Sequence, residues 1–595
     1  MGDRGVSHYD GAASVRGAPA GPDSPSRAGR ASSPPWERSS APTLLDTPVY
    51  VPFDDVTVPL PAPPKRAGRA GKAQQPTRDT GRHWLPRRSP WSFLDGVPWP
   101  LVIILAAQAA MSLRLIWTNT AFVDEATYLW AGHVEWAHWL HGTPVPEYAT
   151  YFSGAPVIYP PLGAVADSLG GLAGARLLSM AFMLGATVAL WGTTSRLYGR
   201  RAAVAATVLF VALGPTQYLG AFATYDSMAL FLMTVAVWCL VRARDQDDSS
   251  LILLAGIIAL VAANATKYAT ALFDPSVAAL GALVVADRRG MKAAAGRFGC
   301  IIACTIALAG GLMALGGSWY LDGIQYTTTS RAVGNAPASL VFSDAARWVW
   351  IPCVMALAGV VLAAFARRSR ASTWLVCVLA SAGLLVPLEQ AHIHTTVSLA
   401  KQVDFGAWFA AIAAGYAVAR LSRASWPAWL RAAVTVPVLA VAALPGCLTG
   451  PGQAMGFMRG WANSSQMTAM MSPLVREYPG RYLVEDYDVF GYYLRKQVPW
   501  QAWLNTWYFT YEGKTALVTA VGTQDVTGLA AYDGAIRNHY FSLIVLNFGD
   551  THAIDDRITA DIRRYGGYHV VAELPYLDEY GVGQYTVWAR TRASQ

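Results

Sequence analysis

Long apolar runs alternate with short polar connections over the central part of the chain, and this pattern predicts a bundle of membrane-spanning helices. A run of about twenty apolar residues is long enough to cross a bilayer as a helix. We count about eleven such runs between residues 93 and 450. They lie at residues 97–117, 172–193, 202–219, 226–242, 250–264, 268–286, 298–317, 347–366, 371–388, 403–420 and 431–449.

The pattern changes at about residue 451. Residues 451–595 carry mixed charge and short apolar runs, which are typical of buried strands. Such runs lie at residues 482–484, 541–546, 569–572 and 585–588, and residues 555–565 have helical spacing. This order predicts a small α/β domain that contains a strand–helix–strand unit. After an odd number of spans, this domain should be extracytoplasmic.

Residues 1–92 show almost no apolar periodicity and are rich in Pro, Gly, Ala, Ser and Arg. Such a segment cannot bury enough apolar surface to offset its chain entropy, so we expect a disordered tail. Its basic end directly precedes the first span. The positive-inside rule therefore places the tail in the cytoplasm, where its cations can contact anionic lipid.

Composition agrees with a membrane protein. The chain has 595 residues, of which 53% are hydrophobic and 14% charged, whereas soluble domains average about a quarter charged. Its net charge of +8 comes largely from the tail and from alternate loops, as orientation in a membrane requires. We therefore expect a multi-pass protein of the cytoplasmic membrane and no nucleic-acid partner. The Ala, Arg, Gly and Pro usage is typical of a high-GC genome, which favours a bacterial, actinobacterial source.

Two adjacent carboxylates, Asp124 and Glu125, follow the first span. Ionised groups are costly inside a bilayer, so a pair at its edge indicates either a solvated helix start or a site that faces a lipid-borne substrate. Asp226 lies at the start of the fourth span. It could be a helix cap or a functional carboxylate.

Cations are rare in the loops predicted to lie outside, and each one lies near the outer end of a span. Lys267, Arg331 and Lys401 form this set. An anion-binding role is one interpretation, and extension of a long side chain to the membrane interface is the other.

The polar loop of residues 389–404 adds further candidates. Its two imidazoles, three hydroxyls and ammonium could hold a phosphate. Alternatively, Glu389, His392 and His394 could bind a divalent metal ion, because two histidines and a carboxylate are a common ligand set. The loop could also be a solvated connection. The sequence does not settle whether a metal ion is used.

Taken together, these features resemble the GT-C glycosyltransferases. The resemblance covers residues 95–450 and depends on the pair at 124–125, Pro160-Pro161-Leu162, residues 174–179, residues 225–227 and Thr266-Lys267-Tyr268. It is strongest to the phospholipid-carrier-dependent type, which includes the protein O-mannosyltransferases and aminoarabinose transferases. The latter have a Glu-Lys pair before the double proline, where this chain has Ile158 and Tyr159. Their lipid A substrate and metal arrangement therefore should not be transferred.

The resemblance implies a polytopic α-helical GT-C fold and an inverting hexosyl- or pentosyltransferase that takes its sugar from a polyprenyl phosphate. The acceptor would be a glycan, lipid or protein on the outer face of the membrane. By position, Asp124 matches the family's catalytic carboxylate, Glu125 would support it, and Asp226 would orient the acceptor or a neighbouring cation. The candidates for the donor phosphate are Lys267, Arg331, His394 and Lys401.

Two other function classes remain open from the sequence. A transporter or flippase of lipid-linked saccharides would also use many spans, although its polar residues should lie near mid-membrane and in repeated halves. A non-catalytic protein of envelope assembly could keep the fold without activity. No glycine-rich nucleotide loop is present in the sequence, which agrees with a lipid-linked donor.

Overall fold

The computed structural model describes residues 98–244, 250–328, 333–366, 369–421, 427–518, 526–549, 551–579 and 581–591. The predicted tail of residues 1–92 and the candidate Arg331 lie outside the described residues. Each predicted apolar run coincides with helix. Up to residue 458 the helices are α1 (Trp99–Leu113), α2 (Val123–His141), α3 (Tyr159–Tyr198), α4 (Arg200–Val211), α5 (Gly214–Leu219), α6 (Tyr225–Arg242), α7 (Ser250–Thr266), α8 (Asp274–Gly316), α9 (Ser318–Thr327), α10 (Ala338–Phe365), α11 (Arg370–Ala382), α12 (Leu385–His392), α13 (Leu399–Leu421) and α14 (Ala428–Met458).

Several of these helices differ in extent from the predicted spans. Within the described residues, five helices are long and apolar enough to cross a membrane, or six if the bent pair α11 and α12 is one span. The predicted spans 268–286 and 298–317 form one helical stretch with a break at Gly290, whose φ is 81°. The predicted span 202–219 is interrupted between α4 and α5, where Pro215 starts the new helix. The count of eleven crossings thus stays a prediction.

Helix α13 lies at the centre of the membrane part. Residues 405–418 of this helix are apolar and buried on every side, as expected for a helix that is apolar all round. The Nε1 of Trp408 donates a hydrogen bond to the Ala186 carbonyl at 3.1 Å. At Gly415 a Cβ would come within 2.3 Å of the Ala202 carbonyl oxygen, so α4 and α13 pack backbone to backbone, as small residues allow in membranes.

The C-terminal part is an α/β domain, as predicted. Its strands belong to two sheets, one of order β2-β1-β6-β8-β7 and one of order β3-β4-β5. Its helices are α15 (Ser465–Glu477), α16 (Tyr487–Leu494), α17 (Ala530–Arg537) and α18 (His552–Tyr565), and its strands are β1 (Tyr482–Val484), β2 (Trp503–Leu504), β3 (Tyr508–Tyr511), β4 (Lys514–Val518), β5 (Val526–Thr527), β6 (Leu543–Leu546), β7 (Tyr568–Asp578) and β8 (Gly581–Arg590).

The connection through α18 differs from a simple strand–helix–strand unit. Strands β2, β1 and β6 are parallel to one another, but β8 pairs antiparallel with β6 and with β7. The hairpin of β7 and β8 therefore inserts β8 beside β6, and β7 becomes the edge strand.

Helix α16 joins this domain to the membrane part by packing on α2. A Cβ at Gly491 would come within 2.4 Å of the Trp130 ring. Nearby, the buried carboxylate of Asp167 on α3 binds three side chains: the Nε2 of His133 at 2.7 Å, the hydroxyl of Tyr492 at 2.5 Å and Nη2 of Arg495 at 2.8 Å. Tyr492 lies on α16 and Arg495 directly follows this helix. The Asp167 carboxylate therefore connects the C-terminal domain to the membrane part.

Two carboxyl groups meet in the C-terminal domain, behind the ends of β1 and β6. Glu485 accepts hydrogen bonds from the backbone N–H groups of Thr551 at 3.0 Å and Asn547 at 3.3 Å. The fully buried Asp555 accepts from the Phe548 N–H at 3.0 Å and is hydrogen-bonded to Glu485. Burial, reinforced by the charge of Glu485, raises the pKa of Asp555 well above its ordinary value.

We expect Asp555→Asn to stabilise this domain at alkaline pH. The folded state binds a proton that the unfolded state releases near pH 4, so wild-type stability falls as pH rises from there through the folded pKa. The amide of Asn keeps the hydrogen bond to Glu485 and does not ionise. At alkaline pH the variant should therefore be more stable than wild type by about 1–3 kcal/mol.

Hydrogen exchange of the peptide spanning α18, measured in the full-length variant and wild type at pH 5 and pH 9, checks this expectation. The variant should exchange more slowly at pH 9 and similarly at pH 5. The exposed Asp556→Asn serves as the matched control. Equal protection of variant and wild type at pH 9 would contradict a shared proton.

Candidate active site

The loop before α2 is held by a buried ion pair between Glu125 and Arg176. Both side chains are fully buried, and the guanidinium binds the carboxylate through two bonds, Nε to Oε1 at 2.8 Å and Nη2 to Oε2 at 2.6 Å. The remaining guanidinium hydrogens bind the carbonyls of Ile116, Asn119 and Thr120 at 2.7, 2.9 and 3.1 Å. Arg176 thus fixes the turn that leads from α1 into α2.

Glu125 also organises the backbone on two sides. Its Oε2 accepts from the N–H of Phe122, the residue before α2, at 3.1 Å, and its Oε1 accepts from the N–H of Ala223 at 2.8 Å. All of these bonds occupy the carboxylate and exclude water from it. This geometry favours the supporting role expected for Glu125, in which its carboxylate holds Asp124 and the segment before α6 in position; a catalytic role for Glu125 stays a prediction.

Asp124 lies one residue away and points in a different direction. Its Oδ2 accepts a hydrogen bond from the Nζ of Lys401, near the start of α13. The two side chains are 13% and 11% exposed, so this pair is close to the protein surface, unlike Glu125. The ammonium also lies 5.9 Å from the centre of the Phe222 ring. Two of the residues predicted from the sequence are therefore in direct contact.

A second carboxylate–lysine pair, Asp226 with Lys267, lies deeper. Nζ of Lys267 donates to Oδ1 of Asp226 at 2.6 Å, and the Thr224 hydroxyl donates to Oδ2 at 2.9 Å. The ammonium lies 4.9 Å from the centre of the Tyr225 ring, a distance suited to a cation–π contact. Of the two roles predicted for Asp226, the geometry favours the orientation of a neighbouring cation.

The two pairs are electrostatic neighbours. Lys401 interacts with Asp226 as well as with Asp124, and Lys267 interacts with Asp124 as well as with Asp226. Tyr128, which follows Asp124 by one helical turn, packs on Tyr225 with ring centres 4.5 Å apart. Burial raises the pKa of Tyr128 well above its ordinary value, followed by the effects of Tyr225 and Asp124. Its hydroxyl therefore stays protonated.

Lys267 owes its position to a backbone contact with the loop after α2. The N–H of Ala155 donates to the Ala265 carbonyl at 2.7 Å, and the N–H of Tyr268 donates to the Ser153 carbonyl at 2.8 Å. Between them, Gly154 is so close that a Cβ would lie 2.1 Å from the Thr266 carbonyl oxygen. The loop and the segment of Lys267 thus form one ordered unit.

The polar segment of residues 389–404 contributes Lys401 to the first of these pairs, whereas its two histidines are exposed. His394 is exposed, and its Nδ1 lies 3.3 Å from the Ala336 carbonyl. Glu389 accepts from the Gln390 amide at 3.0 Å, and His392 is exposed. In the described part of the chain, no three His, Cys, Asp or Glu side chains come together in a way that could hold a metal ion. This corrects the possible metal set of Glu389, His392 and His394, and the placement does not support His394 as a phosphate ligand.

Arg176 is a functional residue that the sequence reading did not single out. Its signal was present, because it is a lone cation within the apolar run 172–193, and ionisable residues inside such runs are typically paired and functional. What the sequence could not supply was its partner, 51 residues away.

Fold and site together define the class: a multi-pass membrane protein of the GT-C fold, with two carboxylate–lysine pairs at the ends of helices and an α/β domain after the last membrane helix. The comparisons with known proteins agree with this class.

Residues 168–311 match the family described as dolichyl-phosphate-mannose-protein mannosyltransferase. The structure is similar to ArnT from Cupriavidus metallidurans bound to undecaprenyl phosphate, with a TM-score of 0.54, 14% sequence identity, and coverage of 85% of this chain and 100% of that chain. The structure is also similar to ArnT from Cupriavidus metallidurans in the apo state, with a TM-score of 0.53, 14% sequence identity, and coverage of 83% of this chain and 99% of that chain. No curated protein matches the sequence of this chain. The predicted resemblance to GT-C glycosyltransferases is confirmed.

Proposed function

We propose that this protein transfers a sugar from a polyprenyl-phosphate donor to a hydroxyl group of an acceptor at the outer face of the cytoplasmic membrane. The observation that carries the proposal is the convergence of Asp124, Asp226, Lys267 and Lys401. These four charges come from α2, α6, the segment after α7 and α13, and they meet at one place. The family match of residues 168–311 favours a hexose, with mannose as the first sugar to test.

The proposed reaction is an in-line displacement at the anomeric carbon. The acceptor oxygen forms the new bond to that carbon, the bond from the carbon to the phosphate oxygen breaks, and its electron pair stays on the phosphate. The acceptor proton passes to a base, for which Asp124 is our candidate because it is the more exposed carboxylate of the cluster. The products are a glycoside and free polyprenyl phosphate.

The two lysines supply the positive charge that the leaving phosphate needs. Ammonium groups placed in a site of low water content stabilise a developing anion without reorganisation. Lys401, shared between Asp124 and the phosphate, would couple the base to the leaving group. Lys267, held by Asp226 and the Tyr225 ring, would be a fixed second contact. Arg331 stays a candidate from the sequence alone.

Topology follows from the distribution of cations along the sequence. Clusters of arginine lie at the junction of α3 with α4, at the end of α6 and on both sides of the Gly290 break within α8, whereas the loop of residues 118–175 contains neither lysine nor arginine. The positive-inside rule then puts the N-terminus in the cytoplasm and Asp124 on the opposite face, together with the α/β domain. A donor anchored in the bilayer would present its phosphate there.

Release of polyprenyl phosphate tests the proposed function. Purified protein in lipid nanodiscs is mixed with radiolabelled polyprenyl-phosphate mannose and with the envelope fraction of a strain that lacks the gene. We expect labelled envelope product and one free polyprenyl phosphate for each sugar moved. Movement of intact donor between leaflets of a vesicle without its cleavage would indicate a transporter. Neither release nor movement with a panel of hexosyl and pentosyl donors would indicate a non-catalytic protein.

Gly154→Ala should weaken binding of the lipid phosphate by about tenfold. The added methyl group clashes with the Thr266 carbonyl, so the segment that carries Lys267 must shift, and overpacking of this kind costs roughly 1–3 kcal/mol. The dissociation constant for undecaprenyl phosphate in nanodiscs measures the effect.

The matched control is Gly452→Ala, since nothing lies within 4 Å of a Cβ at that position. Wild-type affinity is expected for this control. If Gly154→Ala also binds with wild-type affinity, Lys267 is not a phosphate ligand of the kind proposed.

A further inference from the structure

Helix α16 of the C-terminal domain brings a third carboxyl group to the site, that of Asp488. The side chain is hydrogen-bonded to Thr127 on α2 and also to Tyr487, and it interacts electrostatically with Asp124. Thr127 and Asp124 lie three residues apart and so share one face of α2. The carboxyl group of Asp488 therefore lies beside the candidate base, on the side that faces the C-terminal domain.

This side of the site is the accessible one. Asp124, Thr127, Tyr487 and Asp488 are each partly exposed, whereas Asp226 and Lys267 are buried. The face therefore suits a water-soluble substrate that approaches from outside the membrane, while the buried lysine lies on the other side of Asp124.

Asp488 is not explained as a helix cap. A carboxylate in the first turn of a helix is stabilised in its ionised form by the helix dipole. Here withdrawal from water dominates and raises the pKa of Asp488 to about 7, with a smaller contribution from the charge of Asp124. The hydrogen bonds of Asp488 to Thr127 and Tyr487 act in the opposite direction and lower its pKa, so they favour the ionised carboxylate.

We propose that Asp488 binds a hydroxyl group of a saccharide acceptor next to Asp124. The proposal rests on the proposed function and names the acceptor side of the same site. A carboxyl group near its pKa can accept a hydrogen bond from one hydroxyl and donate to another. It would thereby fix the acceptor so that a second hydroxyl points at Asp124, and it would take no part in the chemistry of the donor.

The surroundings of Asp488 favour a saccharide over a peptide. Tyr148, Tyr151 and Tyr487 lie near this carboxyl group and interact with it or with one another. Tyr148 stacks on Phe152 with ring centres 5.3 Å apart, and Trp130 packs edge-on against Tyr487 at 5.8 Å. Tyr148, Phe152 and Trp130 are buried and support the surface from below. Tyr151 is 46% exposed and Tyr487 is partly exposed, so these two rings beside the carboxyl group can offer apolar faces to the C–H groups of a sugar ring.

Separate assays of donor cleavage and sugar transfer test this role with Asp488→Asn and Asp488→Ala. Donor cleavage by water is followed as release of polyprenyl phosphate from labelled polyprenyl-phosphate mannose without any acceptor. Transfer is followed by titration with the envelope fraction of the strain that lacks the gene. Both variants should cleave the donor within about twofold of wild type but need at least about tenfold more acceptor fraction for half-maximal transfer. Asp556→Asn, exposed in the same domain, should behave as wild type in both assays.

Three results would overturn the proposal. The first is an unchanged requirement for acceptor fraction in both variants. The second is an equal loss of donor cleavage and transfer, which would assign Asp488 a structural or catalytic role. The third is a labelled product whose size falls on digestion with protease, which would identify a protein acceptor. Failure of the wild type to release polyprenyl phosphate from any hexosyl or pentosyl donor, with the envelope fraction present, is a different result and would remove the proposed function itself.

Discussion

Asp124→Asn should abolish sugar transfer while the protein still inserts and folds. The amide cannot take the acceptor proton, and loss of a positioned general base typically costs a factor of about 10²–10⁴ in rate. The substitution also removes the negative charge at position 124 that the Lys401 ammonium contacts. We expect kcat to fall by at least about 10³-fold in the polyprenyl-phosphate mannose assay, because both effects act on the same step.

Binding of undecaprenyl phosphate separates the role of a base from a general loss of structure. The Asn variant should bind this lipid at least as tightly as wild type, because Lys401 is freed from Asp124 and remains available to a phosphate. Asp322→Asn, an exposed carboxylate on α9, is the matched control and should keep full activity. Turnover of the Asp124 variant near the wild-type rate would remove the base assignment.

Glu125→Ala should destabilise the membrane part by about 3–5 kcal/mol. Removal of one partner of a buried ion pair leaves the other charge uncompensated, and here the Arg176 guanidinium has no access to water. The N–H groups of Phe122 and Ala223 lose their acceptor in the same step. Denaturant titration of the detergent-solubilised variant and its yield in the membrane measure the effect.

The double variant Glu125→Leu with Arg176→Met separates the pair from its neighbours. Replacement of a buried ion pair by apolar side chains of similar size is often close to neutral, so part of the lost stability should return. Activity should not return, because the turn from α1 into α2 loses its hydrogen bonds to Arg176. A single Glu125→Ala variant as stable as wild type would show that the pair does not hold this turn.

The sequence predicted the helices well because each apolar run must either be buried in the protein or face lipid along its whole length. It also singled out Asp124, since a carboxylate at the end of a span is costly unless it is solvated or used. Breaks were harder to predict. The interruption between α4 and α5 falls inside a single predicted span, whereas the break at Gly290 lies in the charged segment that the sequence predicted between two spans.

The contacts within the site could not be predicted from local pattern. Lys401 and Asp124 are 277 residues apart, and Lys267 and Asp226 are 41 apart, so their pairing depends on the packing of the whole bundle. The imidazole of His394 is exposed and its Nδ1 lies 3.3 Å from the Ala336 carbonyl oxygen, so its role as a phosphate ligand stays a prediction. The involvement of Asp488 was invisible because it depends on how α16 docks.

The burial of α13 on all sides has a consequence for how substrate choice can vary. A helix enclosed by neighbouring helices cannot tilt or rotate without disturbing most of the bundle. The Lys401 ammonium near its outer end therefore has an almost invariant location. Engineering of a new sugar or acceptor preference should therefore begin at the interface of α2 with α16. A side chain can be exchanged there without a change in the position of Lys401, the proposed ligand of the donor phosphate.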